Sequence, residues 1–301
     1  MHRLSDIVLV GVETTRGTVA ATFPFHCPIL RPGLEPSRRG HFATVESSAT
    51  FPSQTKNVPV GVTNGLRLTP DINKGTIRDL LLLSTKWVSP SFPAFSIART
   101  AFGVGHELFL GCGVSRFEFG YSRSSEPGDD AILKGSLDID CMARETTTGL
   151  SAGTQSAVGH FPMHLSTFTI NSVAATRVLS YRRTIEIMRG LGPPDSTAKR
   201  IYSVDGVIKH TAEIVAQFTS AAWRTLLHAQ TEHAASFIHA TGVTNETVTE
   251  TLGACQLSEH TEADDNDVVT ERISIITSHT GAAAAMVPTF GSAIPTSALG
   301  L

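Results

Sequence analysis

The chain has 301 residues, 41% of them apolar and 17% charged. That is apolar enough for one large core or two ordinary ones, and it excludes a chain disordered from end to end. The formal net charge of −3 gives no general attraction to nucleic acid, so any such contact requires a local basic patch.

Threonine and serine are abundant and lysine is scarce beside arginine; threonine favours extended structure. Cys27, Cys112, Cys141 and Cys255 stand far apart with no C-x-x-C pair. They are expected to be free, buried thiols of a reducing compartment rather than zinc ligands. The N-terminal run MHRLSDIVLVGVE lacks a signal peptide's long apolar core and cleavage site, and no stretch reaches membrane-spanning length. The expectation is a soluble protein made inside a cell, with no membrane partner.

In chain order, Ile7 to Val12 and Thr18 to Phe25 read as a hairpin turning at Thr14–Gly17. Pro24 to Pro36 holds four prolines and reads as an irregular arm. Phe42 to Phe51 suits a strand, and Asn64-Gly65 is a turn signal within Val58–Leu68. Thr69-Pro70-Asp71 caps a short helix through Ile77, Leu80, Leu81 and Leu83 to Lys86. Three Phe- and Gly-rich strands follow at 92–102, 107–121 and 131–142, then a Thr/Ser/Gly-rich loop at 144–159 and strands at 161–173 and 177–188.

Gly190-Leu191-Gly192-Pro193-Pro194 is the strongest punctuation and suggests a boundary. Beyond it, Val207, Ile208, Ile214, Val215, Phe218, Ala222, Leu226, Ala229, Ala234 and Phe237 recur near helical spacing, which predicts a long helix from Ser203 to Gly242. A short helix from Thr244 to Leu257, an acidic loop from Glu259 to Asp267 and a strand from Val268 to Ser278 complete this part. The expected organisation is a β-rich body over 1–192, a helical segment with one late strand over 193–280, and a C-terminal arm over 281–301. From Gly281 on, the residues are small apart from Met286, Phe290 and Ile294. These three are the candidate assembly anchors, set in pockets of a neighbour by an arm that cannot bury enough to order alone.

The chemical motifs are weak. Gly149-Leu150-Ser151-Ala152-Gly153 matches G-x-S-x-G, and Ser151 with His160 would make a hydrolase, but Arg144–Thr148 is a poor buried strand before the turn. His160 and His164 are four apart with Pro162 between them, so a shared helical face for a metal is lost. His210, His228, His233 and His239 share no face well, and the Asp264–Asp267 run lacks the glycine and the twelfth-position carboxylate of a calcium loop. Asp138 and Asp140 share a strand face without a third partner. Gly103-x-Gly105 and Gly111-x-Gly113 open no helix and give no dinucleotide fingerprint. Arg177, Arg182, Arg183 and Arg189 form the densest basic segment, read as a solvent face with cross-strand partners. Asn245-Glu246-Thr247 is a glycosylation sequon only in a secreted chain. No catalytic, metal or cofactor residue is assigned, and no cofactor is expected.

KGTIRDLLLLSTKW (Lys74–Trp87), followed by FSIARTAFG, LFLGCGVSRFEFGYSR and KGSLDIDCMAR, resembles the middle of picorna-like viral jelly-roll coat proteins, where a short helix precedes the central strands. The resemblance covers residues 74–144. It implies an α+β chain: a jelly-roll-like or related β-sandwich body, with the long helix of the C-terminal third as a departure. The function expected is that of a structural, non-enzymatic subunit of a virus particle (capsid, clamp or surface protein). Its partners would be copies of itself and other capsid subunits, assembled in the host cytoplasm into the virion. The alternatives are a serine hydrolase using Ser151 and a cellular oligomeric scaffold.

Overall fold

Burial alternates along most of the chain with a period of two, as in Lys134–Cys141, where Leu137, Ile139 and Cys141 are buried between half-exposed neighbours. That is the signature of strands with one face on a core. The structure is a computed structural model and describes residues 7–47, 54–85, 93–101, 105–122, 131–147, 158–194, 200–265, 268–277 and 286–301.

The first half contains β1 (Ile7–Val12), β2 (Phe25–Cys27), β3 (Ile29–Ser47), β4 (Gln54–Pro70), α1 (Ile77–Thr85), β5 (Phe95–Ala101), β6 (Gly105–Ser122), β7 (Lys134–Cys141) and β8 (Ala143–Thr147). The second contains β9 (Thr167–Ile170), β10 (Val173–Ala174), β11 (Val178–Pro194), β12 (Arg200–Gln217), α2 (Ala222–Ala229), β13 (His233–Ala240), β14 (Thr247–Asp265), β15 (Val268–Thr277) and β16 (Val287–Phe290). Among the described residues all the strand pairings are antiparallel and join into one connected sheet. The main path runs β10-β9-β13-β14-β15-β12-β11-β6-β5-β1-β2. The strands β3, β4, β7, β8 and β16 branch from it.

β6 is the hub. Its first half pairs with β5 and β8 and its second half with β7 and β11. The halves meet at Gly111, whose φ of +60° lies in the left-handed region and whose absent Cβ would fall 2.5 Å from Met142 Sδ. Met142 is itself the kink between β7 and β8, and its amide donates to Leu110 O at 2.9 Å. Glycine here both permits the bend and admits the thioether.

The sheet folds over on itself. β11 and β13 are separated by three strands along the path, yet the rings of Tyr181 of β11 and Phe237 of β13 pack with centroids 5.3 Å apart, tilted by 58°. Phe168 of β9 lies 4.6 Å from Tyr181. The corner is in β14, whose register with β15 shifts at Leu257/Glu259 and whose register with β13 shifts at its Cys255 end. Between the layers sits one continuous apolar core. α1 adds Ile77, Leu80, Leu81 and Leu83 to it, all buried.

The expected jelly roll with a long C-terminal helix is overturned. The β-rich character is present, but as one curled antiparallel sheet with two short helices among the described residues, not as the two Greek-key sheets of a jelly roll. Ser203–Gly242 is β12, α2 and β13. In β12 the buried residues among the described side chains are His210, Ala212, Ile214 and Ala216, a period of two that the β-branched Val207, Ile208, Ile214 and Val215 also favour. The predicted helix from Thr244 is the first half of β14, and the arm at Pro24–Pro36 is largely β3. Prolines fit there because among the described residues β3 pairs on one side only, with β4. Asn64-Gly65 is mid-strand, where a Cβ on Gly65 would lie 2.7 Å from Ser37 Oγ. The helix near Ile77 and the strands β5, β6, β7 and β15 lie where the sequence placed them.

Gly111→Ala is expected to destabilise the protein by about 1–3 kcal/mol, the scale of a strained non-glycine backbone. Urea unfolding monitored by far-UV circular dichroism measures it. A neutral result would mean that the β6 bend tolerates a side chain.

Candidate assembly interface

Two hairpins are much longer than the sheet that holds them. β4 pairs with β7 only over Asn64–Leu68, while its pairing with β3 continues from Arg38↔Asn64 to Ser47↔Gln54. β11 pairs with β6 only as far as Glu186, and β12 with β15 only from Thr211 onward. Beyond those points β11 and β12 pair with each other, from Ile187↔Ile208 through Arg189↔Asp205 and Leu191↔Tyr202 to Pro194↔Arg200. At the usual rise per residue the β3–β4 hairpin therefore runs on as a two-stranded ribbon about 30 Å long, and the β11–β12 hairpin as one of about 25 Å. Along both outer edges of each ribbon the backbone has no strand partner among the described residues. The Gly-Leu-Gly-Pro-Pro punctuation lies at the far end of β11, inside this hairpin.

The root of the β11–β12 ribbon is gripped from within the core. Arg183, fully buried, donates from Nε to Glu250 Oε2 at 3.2 Å, from Nη1 to Thr211 O at 2.8 Å and from Nη2 to His210 Nδ1 at 3.0 Å. Nη2 also contacts Met286 Sδ at 3.1 Å. A guanidinium only donates, so Nδ1 of His210 is the unprotonated nitrogen. Glu250, also fully buried, accepts at Oε1 from His239 Nε2 at 3.1 Å and from Tyr181 Oη at 3.4 Å. His239 Nδ1 meets Tyr121 Oη at 3.0 Å, which in turn meets Ser166 Oγ at 2.9 Å. Burial alone would raise the Glu250 carboxyl, but the His239 hydrogen bond and the Arg183 charge outweigh it and hold it below the ordinary value of 4.5. Burial pushes both tyrosine phenols up, so they act as neutral donors. The network is a closed, saturated tie between the two layers.

The remaining expectations find these places. Met286 and Ile294 are buried in the subunit's own core, and Phe290 is half-buried with the Arg78 guanidinium 4.5 Å from its ring centre. β16 pairs with β14 from Val248↔Phe290 to Thr251↔Val287. Buried Asp79 of α1 accepts from Ser297 Oγ at 2.5 Å and from the amides of Ala298 and Leu299. Residues 286–301 are thus packed on their own subunit, whereas the sequence placed Met286, Phe290 and Ile294 in pockets of a neighbour. Ser151 lies outside the described residues; His160 Nε2 meets Asp71 Oδ1 at 3.1 Å, and His164 is exposed. Arg182 pairs with Glu118 at 2.7 Å and Arg177 donates to Gln217, as a cross-strand surface would. Arg183 is the one among the described side chains of that basic segment that turns inward, and the side chain of Arg189 lies outside the described residues. The four thiols are free and buried, with Cys112 Sγ and Cys141 Sγ 3.0 Å apart where the β3–β4 ribbon leaves β7. The buried network escaped sequence reasoning because its members lie on strands far apart in the chain; the one local signal was Arg183 between Tyr181 and Ile185 on the apolar side of a period-two run.

No protein-family model matches the chain, and no curated protein matches it.

Two outcomes follow from this geometry. Ile294→Ala is expected to cost the isolated subunit about 2–4 kcal/mol, as truncations of buried aliphatics do; a melt unchanged within error would place Ile294 in a neighbour instead. For Glu250 the folded carboxyl is depressed, so its stabilisation is complete above the unfolded value and is lost as pH falls through the folded one. The stability gap between the wild type and Glu250→Gln should be level at neutral pH and shrink below 4.5, read by denaturant midpoints at a series of pH values. A gap that instead widens with acid would reverse the assignment.

Proposed function

We propose that this chain is a non-enzymatic structural subunit of a virus particle and acts by self-assembly. The observation that carries this is the pair of two-stranded ribbons with unpartnered edges. A free ribbon of that length is marginal in water and invites strand pairing. A neighbour that docks its own ribbon alongside satisfies one of those edges on each ribbon. Because each subunit brings two different ribbons, the β3–β4 ribbon of one copy can pair with the β11–β12 ribbon of the next. Such head-to-tail contact is heterologous and closes into a ring or continues as a helical tube.

The viral part of the reading rests on the likeness of the sequence of residues 74–144 to viral coat proteins. The Thr/Ser-rich, lysine-poor composition suits an assembling coat. The partners are copies of this chain and other particle subunits, and the place of action is the virion.

Shortening both ribbons tests the reading. Replacing residues 39–63 by Asn-Gly and residues 188–207 by Asn-Gly joins Arg38 to Asn64 and Ile187 to Ile208, the pairs at which the ribbons begin, through a turn suited to two-residue hairpins. The expected product keeps a cooperative melt and is monomeric by light scattering, while the full chain forms rings, tubes or shells in negative stain. Assemblies of the same size from the shortened protein would dismiss the ribbons as the contact.

A further inference from the structure

The assembly reading leaves open what aims the ribbons, and the buried network answers for one of them. We infer that Arg183 is the positioning residue of the β11–β12 ribbon, clamping its root across the core so that it leaves the sheet at one fixed angle. The inference rests on the assembly reading.

Arg183 faces a core whose other β11 members, Tyr181, Ile185 and Ile187, are buried aromatic or aliphatic residues. An apolar residue there would avoid the cost of desolvating a charge, so packing alone does not explain an arginine. Its placement does. β11 loses β6 after Glu186, and β12 loses β15 before Thr211. The guanidinium reaches Thr211 O and His210 Nδ1 on β12 from Arg183 on β11. It therefore holds both strands of the ribbon within a few residues of the point where their outer partners end. Its remaining donors cross to the opposite layer, to Glu250 of β14 and to Met286 just before β16. Glu250 is itself fixed by His239 and Tyr181. Backbone pairing within a two-stranded ribbon restrains its twist poorly, whereas a forked, multidentate grip from the far layer sets a direction. Direction matters because subunits joined head to tail form one closed size only if each makes the same angle with the next.

The test separates positioning from stability. Arg183→Met with Glu250→Leu removes both charges together, so neither is left buried and unpaired. The buried Tyr181, His210 and His239 lose partners, so the expected result is a lower but still cooperative subunit melt, with loss of the uniform assembly well below that melt, seen as monomers or mixed sizes in mass photometry and negative stain. A second readout needs no assembly: spin labels at Arg200→Cys and Ser258→Cys report the ribbon against the body in the monomeric subunit. Their distance distribution should be narrow in the parent and broad in the double variant. A double variant that assembles to the same size and yield, with an equally narrow distribution, overturns the clamp. A parent that stays monomeric while its labels still narrow and broaden as expected removes the assembly reading and leaves the clamp standing.

Discussion

A β-strand carries backbone donors and acceptors on both sides, and each must find a partner or water. This constraint organises the whole molecule. The body meets it by curling one antiparallel sheet over its own core, with β6 supplying partners on both sides along its length through the bend at Gly111. Among the described residues the ribbons find no such partners: β3 pairs with β4 alone, and the distal parts of β11 and β12 pair with each other alone. Everything proposed about function starts from that imbalance between a satisfied body and unsatisfied extensions.

The buried Arg183–Glu250 pair is poor value as a source of stability, since desolvating two charges offsets most of their attraction. What it does supply is geometric definition. An aromatic cluster of Tyr121, Phe168, Tyr181 and Phe237 could slide within its layer, because dispersion contacts are not directional. Hydrogen bonds from one guanidinium to β12 and β14, and from His239 and Tyr181 to the same carboxylate, admit one arrangement. The apolar residues hold the layers together, and the polar ones fix their register.

Much of the strand content was legible in the sequence, and so was the helix at Ile77–Thr85, because period-two burial and a Leu-rich cluster are local signals. The stretch from Ser203 to Gly242 misled for a physical reason. Its alanines and leucines satisfy a helical template, while the residues that burial selects, His210, Ala212, Ile214 and Ala216, include small and polar ones that hydrophobicity does not mark. Asn64-Gly65 misled because glycine serves close approach to Ser37 there and not a turn. The C-terminal apolar residues Met286, Phe290 and Ile294 stood out in the sequence but were assigned to a neighbour, since the surface they pack on is assembled from α1, β11 and β14, far apart in the chain. The ribbons were invisible for a similar reason: strand length is local, but the end of a neighbour's pairing is not.

The chain also has an edge that it does not offer, and the contrast sharpens the case for the ribbons. From Gln256 to Asp265, β14 pairs with β15 on one side and has no strand on the other among the described residues. The sequence places Glu259, Glu262, Asp264 and Asp265 along those ten positions, and Glu262 is held by Arg224 of α2 at 3.3 Å. Like charges along an edge repel a second copy of the same strand, the usual guard against edge-to-edge association. The ribbon strands carry charges of mixed sign instead of a run of one sign: Arg38, Arg39, Glu46 and Lys56 in one, and Arg189, Arg200 and Asp205 in the other. Edges lined by one sign of charge and edges of mixed sign thus occur in the same chain. The mixed ones are those that outrun the sheet, as expected if they are kept for pairing with another subunit.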